Sequence, residues 1–222
     1  MTAPPALRAI FATPFASLPL TSGSTLNPPL AALLRARAQP EQREPSTLEN
    51  ALTFRSREEL FGWTDEPMRA LQAEMLGALA AVVNAASLYP EDHIARLRLQ
   101  ARARFVLIRP DGCLAGSAAH NSSWCMIYCV AAPRPPDTRF DSGAVRLFDL
   151  RMRTAYMDAG NAMLRPAFGV NHHIWQPTPG YMTAFPSGIG YEVALNRTPE
   201  DIILVIARAR FEAAGQESAL PW

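Results

Sequence analysis

The chain has 222 residues, 49% of them hydrophobic, and a formal net charge of +1. This size suits one domain spanning residues 1–222, and the near-neutral charge argues against nucleic acid as a partner. The sequence contains no lysine, so all 21 basic residues are arginine. Enzymes that form a Schiff base on lysine, anchor pyridoxal phosphate or use a P-loop lysine are therefore excluded.

The apolar segments and the cysteines favour a cytoplasmic protein. No run of about 18 apolar residues occurs, so we expect no membrane span and no membrane partner. The start of the chain lacks the charged segment and long apolar core of a signal peptide. The three cysteines, Cys113, Cys125 and Cys129, lack zinc-type spacing. Their odd number suits a reducing compartment better than a disulfide scaffold.

Helical patterns are concentrated in residues 1–90. The segment PPLAALLRARA, residues 28–38, predicts a short helix. The main helix is predicted over residues 66–86, where apolar side chains recur every three or four positions. We interpret this apolar stripe as core packing. It is formed by Leu71, Met75, Leu79 and Val82.

Two further signals lie between these helices. The polar segment 38–47 contains two prolines and predicts an exposed loop. Ser56 and Glu59 have the spacing of a capping box, which predicts the start of a helix.

From residue 95 the pattern changes to that of strands. Arginine or glutamine alternates with apolar residues in ARLRLQARARFVLI, residues 95–108, and a period of two predicts a strand. Six more strands are predicted over residues 123–132, 144–150, 172–178, 181–187, 191–195 and 201–211. Helices followed by many short strands indicate an α+β fold with a β-sandwich or barrel.

Six segments of the sequence, in chain order, resemble a known family. They are the opening AIFATPF (9–15), the helix after FRSREEL (54–60), ARFVLIRPDG (103–112), HNSSWCMIYCVAAP (120–133), VRLFDLRM (145–152) and PTPGYMTAFPSGIGYEV (177–193). Together they resemble small bacterial iron(II)- and 2-oxoglutarate-dependent oxygenases over most of the chain. The resemblance implies a double-stranded β-helix, which is a cupin-like jelly roll, over residues 95–211. It also implies that the N-terminal helices pack against this core.

The same resemblance places the family's iron site on unusual residues. The family holds iron(II) with two imidazoles and usually one carboxylate, and an arginine binds the far carboxylate of 2-oxoglutarate. The first ligand pair falls either on His120 and Ser122 or on Ala118 and His120, so one ligand is missing in both cases. The distal histidine position is Tyr191, and the arginine position is Asp201. The prediction for the cofactor is therefore either none or iron(II), and 2-oxoglutarate is not expected.

Two interpretations of these residues stay open. His120 and Tyr191 can perform acid–base or binding work without a metal. Alternatively, they can form a rebuilt metal site with one of His172 and His173, which point to opposite faces if both lie on a strand. The expected substrate pocket consists of Trp124, Tyr128, His172, His173 and Phe185.

Other candidate residues have more ordinary explanations. The arginines of residues 96–104 could line an anion-binding groove, but a solvated strand face is favoured. Arg208 and Arg210 lie too far along the last strand to reach the pocket in the expected register. Cys125 and Cys129 are interpreted as small core residues, because nothing near them activates a thiol.

Three functional hypotheses follow from the sequence. The leading one is a divergent enzyme that acts on a small molecule, either free or bound to a carrier or peptide, without standard iron and 2-oxoglutarate chemistry. The second is a genuine iron/2-oxoglutarate hydroxylase with an atypical metal site. The third is a ligand-binding pseudoenzyme without catalysis. A homodimer is compatible with all three.

Overall fold

The computed structural model describes residues 12–45, 51–118, 121–134, 141–149 and 172–213. Its helices are α1 (Gly23–Arg37), α2 (Glu66–Ala86) and α3 (Glu91–Ala95), with short 3-10 helices at Pro40–Gln42 and Leu60–Gly62. Its strands are β1 (Ala16–Pro19), β2 (Thr53–Arg55), β3 (Arg98–Ile108), β4 (Leu114–Ser117), β5 (Trp124–Ala131), β6 (Val145–Phe148), β7 (His172–Trp175), β8 (Tyr181–Pro186), β9 (Gly190–Val193) and β10 (Ile202–Glu212).

The strands form two antiparallel sheets that face each other. The larger, six-stranded sheet has the order β1-β8-β5-β10-β3-β2, and the smaller, four-stranded sheet has the order β4-β9-β6-β7. Side chains from both sheets share one buried apolar cluster, which includes Val106 and Leu204 of the larger sheet and Val145 and Val193 of the smaller one. The predicted α+β fold with a double-stranded β-helix is therefore confirmed.

A second apolar cluster lies on the opposite face of the larger sheet, against the helices. The strand β3 shows how the two faces separate. Phe105 and Leu107 pack in the helix-side cluster, whereas Val106 and Ile108 pack between the sheets. Because successive side chains on a strand point to opposite faces, each long strand of this sheet contributes to both clusters.

The main helix α2 has the predicted bounds, residues 66–86. Leu71, Met75 and Leu79 of its apolar stripe are fully buried, which confirms their role in the core. Helix α1 starts five residues earlier than predicted, at Gly23. The chain is held there by a hydrogen bond from the Leu20 amide to the Gly180 carbonyl, with an N–O distance of 2.9 Å.

Close packing of two backbones makes Gly23 necessary at this start. A Cβ atom at Gly23 would lie 2.7 Å from the Cα atom of Gly180, which is closer than van der Waals contact allows. The start of α1 is thus set by a tertiary contact. As a consequence, Pro28 and Pro29 lie inside the helix, where each removes one backbone donor.

The capping box predicted at Ser56 does not form. The Ser56 amide donates to the Phe105 carbonyl at 2.9 Å, and the Ser56 hydroxyl oxygen accepts from the Phe105 amide at 2.9 Å. Ser56 therefore extends the pairing of β2 with β3, and the next helical turn starts only at Leu60. Pairing with a neighbouring strand satisfies the backbone groups that the cap would have served.

Among the described residues, no helix has the length and apolar character needed to cross a membrane.

Candidate functional site

A cavity of about 270 Å³ opens between the two sheets. Its walls come from β3, β4, β5, β9 and β10 and from the segment around β2. The lining residues are Glu44, Arg55, Glu58, Arg104, Val106, Leu114, Ser117, Ala118, Cys125, Tyr191, Ile206, Ala207 and Arg208.

The cavity lies where the inner face of the larger sheet changes from apolar to charged. Deeper between the sheets this face carries Ile108, Ile202 and Leu204, all of which are buried in the apolar cluster. Towards the other end, the same face carries Arg104 on β3 and Arg208 on β10. Apolar side chains fill the deep end, so the space that remains is bordered by arginines.

Five charged residues at the cavity form a continuous series of ion pairs, which we call the arginine–glutamate chain: Arg55, Glu44, Arg104, Glu58 and Arg208. The Oε2 atom of Glu44 lies 2.5 Å from both Arg55 Nε and Arg104 Nη1. Glu58 contacts Arg104 through one carboxylate oxygen and lies 2.5 Å from Arg208 Nη2 through the other. Each carboxylate therefore joins two guanidinium groups.

Ionisation of Glu58 depends on these neighbours. Burial by itself opposes the charged form, but hydrogen bonds and charge from Arg104 and Arg208 outweigh it and hold the pKa of Glu58 below its usual value. Burial likewise opposes the charge of Arg104, and Glu58 and Glu44 reverse this effect and raise its pKa. A carboxylate held in this way is a weak base, so Glu58 is suited to positioning charge.

Tyr191 forms part of the cavity wall from β9. Tyr191 is only 5% exposed. Its hydroxyl forms a hydrogen bond with the Ser117 side chain, and its ring packs edge-on against that of Phe185, with 5.9 Å between the ring centroids. Burial is the main cause that raises the pKa of Tyr191 above its ordinary value. Tyr191 is therefore a neutral phenol at physiological pH, able to donate or accept a hydrogen bond.

Cys125 lines the cavity from β5, and Cys129 is buried deeper on the same face. Burial raises the pKa of Cys125 to about 12, and it also raises the pKa of Cys129. Since the thiolate is the nucleophilic form, Cys125 is inert at neutral pH. All three cysteines are free thiols, and the two on β5 belong to the core as predicted.

The structure does not bring the histidines of β7 to the cavity. His172 and His173 are both exposed. His173 lies in the same cross-strand row as Tyr191, but Leu147 of β6 pairs with both residues and separates them. The ring of His173 instead packs 4.4 Å from that of Phe15. His120 lies outside the described residues.

Two expected pocket residues face the other way. Tyr128 is buried in the helix-side cluster, and Trp124 packs against the same cluster. Tyr128 donates a hydrogen bond to Asn27 Oδ1 of α1 at 2.6 Å. Trp124 and Tyr128 therefore do not line the cavity as expected. Alternate residues of β5 point to opposite faces, and Cys125 is the residue on the cavity side. Phe185 is buried between the sheets against Tyr191, behind the lining.

We expect Tyr128→Phe to lower the free energy of unfolding by about 1–2 kcal/mol, because Asn27 loses a buried partner. Binding in the cavity should be unchanged, since Tyr128 lies on the opposite face of the sheet. Urea denaturation and a ligand titration of the same variant measure the two effects. A stable variant with impaired ligand binding would place Tyr128 at the site after all.

Known structures share this architecture. A prolyl-4-hydroxylase from Pseudomonas putida is similar, with a TM-score of 0.60 and 15% identity over 89% of this chain and 93% of that chain. The α-ketoglutarate-dependent carbocyclase SnoK gives a TM-score of 0.61 and 8% identity, over 90% and 80% of the two chains. HygX from Streptomyces hygroscopicus, solved with nickel and 2-oxoglutarate bound, gives 0.56 and 12%, over 91% and 84%.

The chain has the fold of the 2-oxoglutarate/iron(II) oxygenases. Because the sequence identities are low, this likeness shows the fold and nothing about the function. No protein-family model and no curated protein matches the sequence. The function of this chain therefore depends on its own side chains.

The described side chains do not fit the iron site of the oxygenase fold. Among them, no group of three or more His, Cys, Asp or Glu residues could hold a metal ion. Glu44 and Glu58 are engaged by arginines, and Tyr191 is held in its neutral form.

The structure also shows the surroundings of the position at which the resemblance places the cosubstrate arginine. Asp201, where the resemblance places the cosubstrate arginine, lies 4.0 Å from Arg35 Nε of α1. The neighbouring inner-face residues of β10, Ile202 and Leu204, are buried among apolar side chains.

Sequence reasoning missed the arginine–glutamate chain. The preference for a solvated face is wrong for Arg104, whose side chain is only 14% exposed, and Arg208 does reach the cavity. A signal was present in the alternation of the strands. Arg104 lies two residues before Val106, and Arg208 lies two residues after Ile206. Alternation therefore places both arginines on the buried inner face. Glu44, Arg55 and Glu58 carried no comparable signal.

Proposed function

We propose that the protein binds a small organic molecule in the cavity between its sheets and does not use iron(II) and 2-oxoglutarate for turnover. This proposal rests on the position and protonation of Tyr191. A neutral, buried phenol stands at the wall where the resemblance places an imidazole ligand. The cavity is slightly smaller than the pockets of about 300–1,000 Å³ that hold drug-sized ligands, so the ligand is a small metabolite or one end of a larger molecule.

The lining is suited to a ligand with one polar and one apolar part. Val106, Leu114 and Ile206 offer apolar contact, whereas Tyr191 and Ser117 offer hydroxyl groups. Small-molecule sites combine a mostly apolar surface with a few fixed polar groups that set orientation. The ion pairs around Arg104 hold the charged wall in place before any ligand arrives, which reduces the entropy that binding costs.

The proposal is tested by metal titration and ligand binding on the full chain. Under anaerobic conditions, iron(II) with 2-oxoglutarate should give no charge-transfer absorption band, whereas a small-molecule set should contain compounds that raise Tm saturably. Ser117→Trp, which fills the cavity, should abolish that rise. Ala115→Trp is the matched control, because Ala115 is exposed on the same strand. Stoichiometric iron binding with a charge-transfer band would identify an ordinary oxygenase instead.

Catalysis by His120 and Tyr191 is a second candidate. It is favoured by the position of Ala118, which lines the cavity two residues before His120 in sequence. A histidine and a neutral phenol form a suitable acid–base pair. Once a cavity ligand that turns over is found, His120→Ala and Tyr191→Phe should each lower kcat by at least about 100-fold. A double variant with full activity would leave binding as the function.

A further inference from the structure

Two hydroxyl groups of the smaller sheet meet in the cavity. Tyr191 of β9 and Ser117 of β4 are directly opposite each other in the strand pairing. Both line the cavity, and a hydrogen bond joins their side chains. We call these two residues the hydroxyl pair. Because residues opposite each other in antiparallel strands have neighbouring Cβ atoms, the backbone of the sheet fixes this contact.

An irregularity in β4 directs Ser117 into the cavity. The pairing of β4 with β9 shifts its register between Leu114 and Ser117, so that three steps on β4 oppose the two steps from Val193 to Tyr191. Leu114 and Ser117 both line the cavity, whereas the two residues between them are exposed. In a regular strand, residues three apart would point to opposite faces. A β-bulge re-aims a side chain in this way, and such bulges are frequent beside functional sites.

The hydroxyl pair has one proton to offer to a ligand. Each hydroxyl carries one proton, and Tyr191 keeps its own at neutral pH because burial raises its pKa. The hydrogen bond between the two groups uses one of these two protons, and the other is left for a further acceptor. A ligand that displaced water without providing an acceptor would bury this O–H group unsatisfied, which is unfavourable.

The charged groups of the cavity are already engaged with one another. Glu58 contacts Arg104 and Arg208. Glu44 contacts Arg104 and Arg55. A ligand carboxylate would have to displace one of these glutamates, and a ligand ammonium would have to displace one of the arginines. Because the ion pairs form within one chain, they lose no translational freedom of the kind that a ligand loses on binding. An uncharged ligand leaves all of these ion pairs in place and is therefore favoured.

We propose that the cavity binds an uncharged molecule with a carbonyl group, whose oxygen accepts a hydrogen bond from the hydroxyl pair. This inference rests on the proposed function and names its ligand class. A carbonyl oxygen has two lone pairs and no proton, so it matches a site that has a proton to donate. The apolar part of the ligand lies against Val106, Leu114 and Ile206, which also line the cavity.

The test uses three series of matched compounds with about five to eight carbon atoms, a length suited to a small cavity. They are methyl ketones, 2-methyl-1-alkenes in which a methylene group replaces the carbonyl oxygen, and linear carboxylates. Affinities are measured by NMR titration of the full chain. We expect the ketones to bind at least about 10-fold more tightly than the carboxylates, because a carboxylate loses its hydration without gaining an arginine. The alkenes measure apolar contact alone.

A conservative variant then isolates the hydrogen bond. Tyr191→Phe removes the phenol oxygen and keeps the ring. It should lower ketone affinity by about 3- to 10-fold, which is the usual size of one hydrogen bond, and leave alkene affinity unchanged. Unchanged alkene binding also shows that the variant is folded and that its cavity is intact. Tyr181→Phe is the matched control, because Tyr181 lies on β8 with 39% exposure. It should change neither affinity.

Three outcomes overturn the inference. Carboxylates that bind as tightly as the ketones would show that the cavity does not select an uncharged ligand, while the proposed binding function would stand. Ketone affinity that is unchanged in Tyr191→Phe would show that the hydroxyl pair does not recognise the carbonyl group. Absence of binding by all three series would exclude this ligand class. The comparison of Ser117→Trp with Ala115→Trp, made with the wider compound set, then decides the proposed function separately.

Discussion

Arg104→Ala is expected to lower the free energy of unfolding by about 2–4 kcal/mol. The change leaves Glu44 and Glu58, which lie on both sides of Arg104, with one arginine each in a largely buried site. Removing one partner of a buried ion pair costs about 3–5 kcal/mol, and the partial exposure of the two carboxylates reduces this somewhat. Urea denaturation monitored by tryptophan fluorescence measures the loss.

The matched control for Arg104→Ala is Arg96→Ala. Arg96 forms an exposed ion pair with Asp92, with side-chain exposures of 77% and 63%, and such pairs contribute little. Its stability should stay within about 0.5 kcal/mol of the wild type. If both variants lose the same amount, the arginine–glutamate chain has no special role in stability.

The pH dependence of stability should follow the same network. The pKa of Glu58 is lower in the folded protein than its usual value, so its ion pairs stabilise the fold above the unfolded pKa of about 4.3. That stabilisation is lost as the pH falls through the lower folded pKa. Glu58→Gln should therefore flatten the decline of stability in acid, as measured by urea denaturation between about pH 3 and pH 7. An unchanged acid profile would contradict this assignment.

Phe185→Ala is expected to lower the free energy of unfolding by about 3–5 kcal/mol, as is usual for a buried phenylalanine. Phe185 is fully buried between the sheets, and its ring supports that of Tyr191. The loss combines apolar transfer with a cavity that β-sheet backbones cannot close. Because the support of Tyr191 is removed as well, ligand binding in the cavity should weaken in the same variant.

Two variants calibrate the effect of Phe185→Ala. Phe185→Leu keeps most of the apolar volume and should cost less than half as much. Phe15→Ala removes a ring that is 36% exposed and contacts His173, and it should cost under about 1 kcal/mol. Chemical denaturation of all three variants gives the comparison. A loss of less than 1 kcal/mol for Phe185→Ala would show that the core between the sheets is not tightly packed there.

The elements with strong periodicity could be predicted from the sequence. Helix α2 has an apolar stripe that depends only on the spacing of residues within 66–86, and β3 alternates between polar and apolar residues from Arg98 to Phe105. Both patterns are local, so no other part of the chain is needed to recognise them. The strands β1, β2 and β4 have three or four residues each. They form because a neighbouring strand pairs with them.

The assignment of faces was not available from the sequence. On β5 the run WCMIYCVA is apolar at nearly every position, because both faces of this central strand are buried. Alternation separates Trp124 and Tyr128 from Cys125, but it does not say which set faces the smaller sheet. Only the packing of α1 and α2 on one side, with Tyr128 bonded to Asn27, decided this.

The sequence by itself predicted the fold, the main helix and the order of the long strands, and it placed Tyr191 where the resemblance expects a histidine. The tertiary structure decided what surrounds Tyr191. Glu44, Arg55 and Glu58 reach the cavity from residues 44–58, a part of the chain without a clear periodic pattern. There they meet Arg104 on β3 and Arg208 on β10, two strands that are neighbours in the sheet but far apart in sequence. Ion pairs between residues so far apart in sequence depend on how the sheets close, and no local pattern encodes that closure.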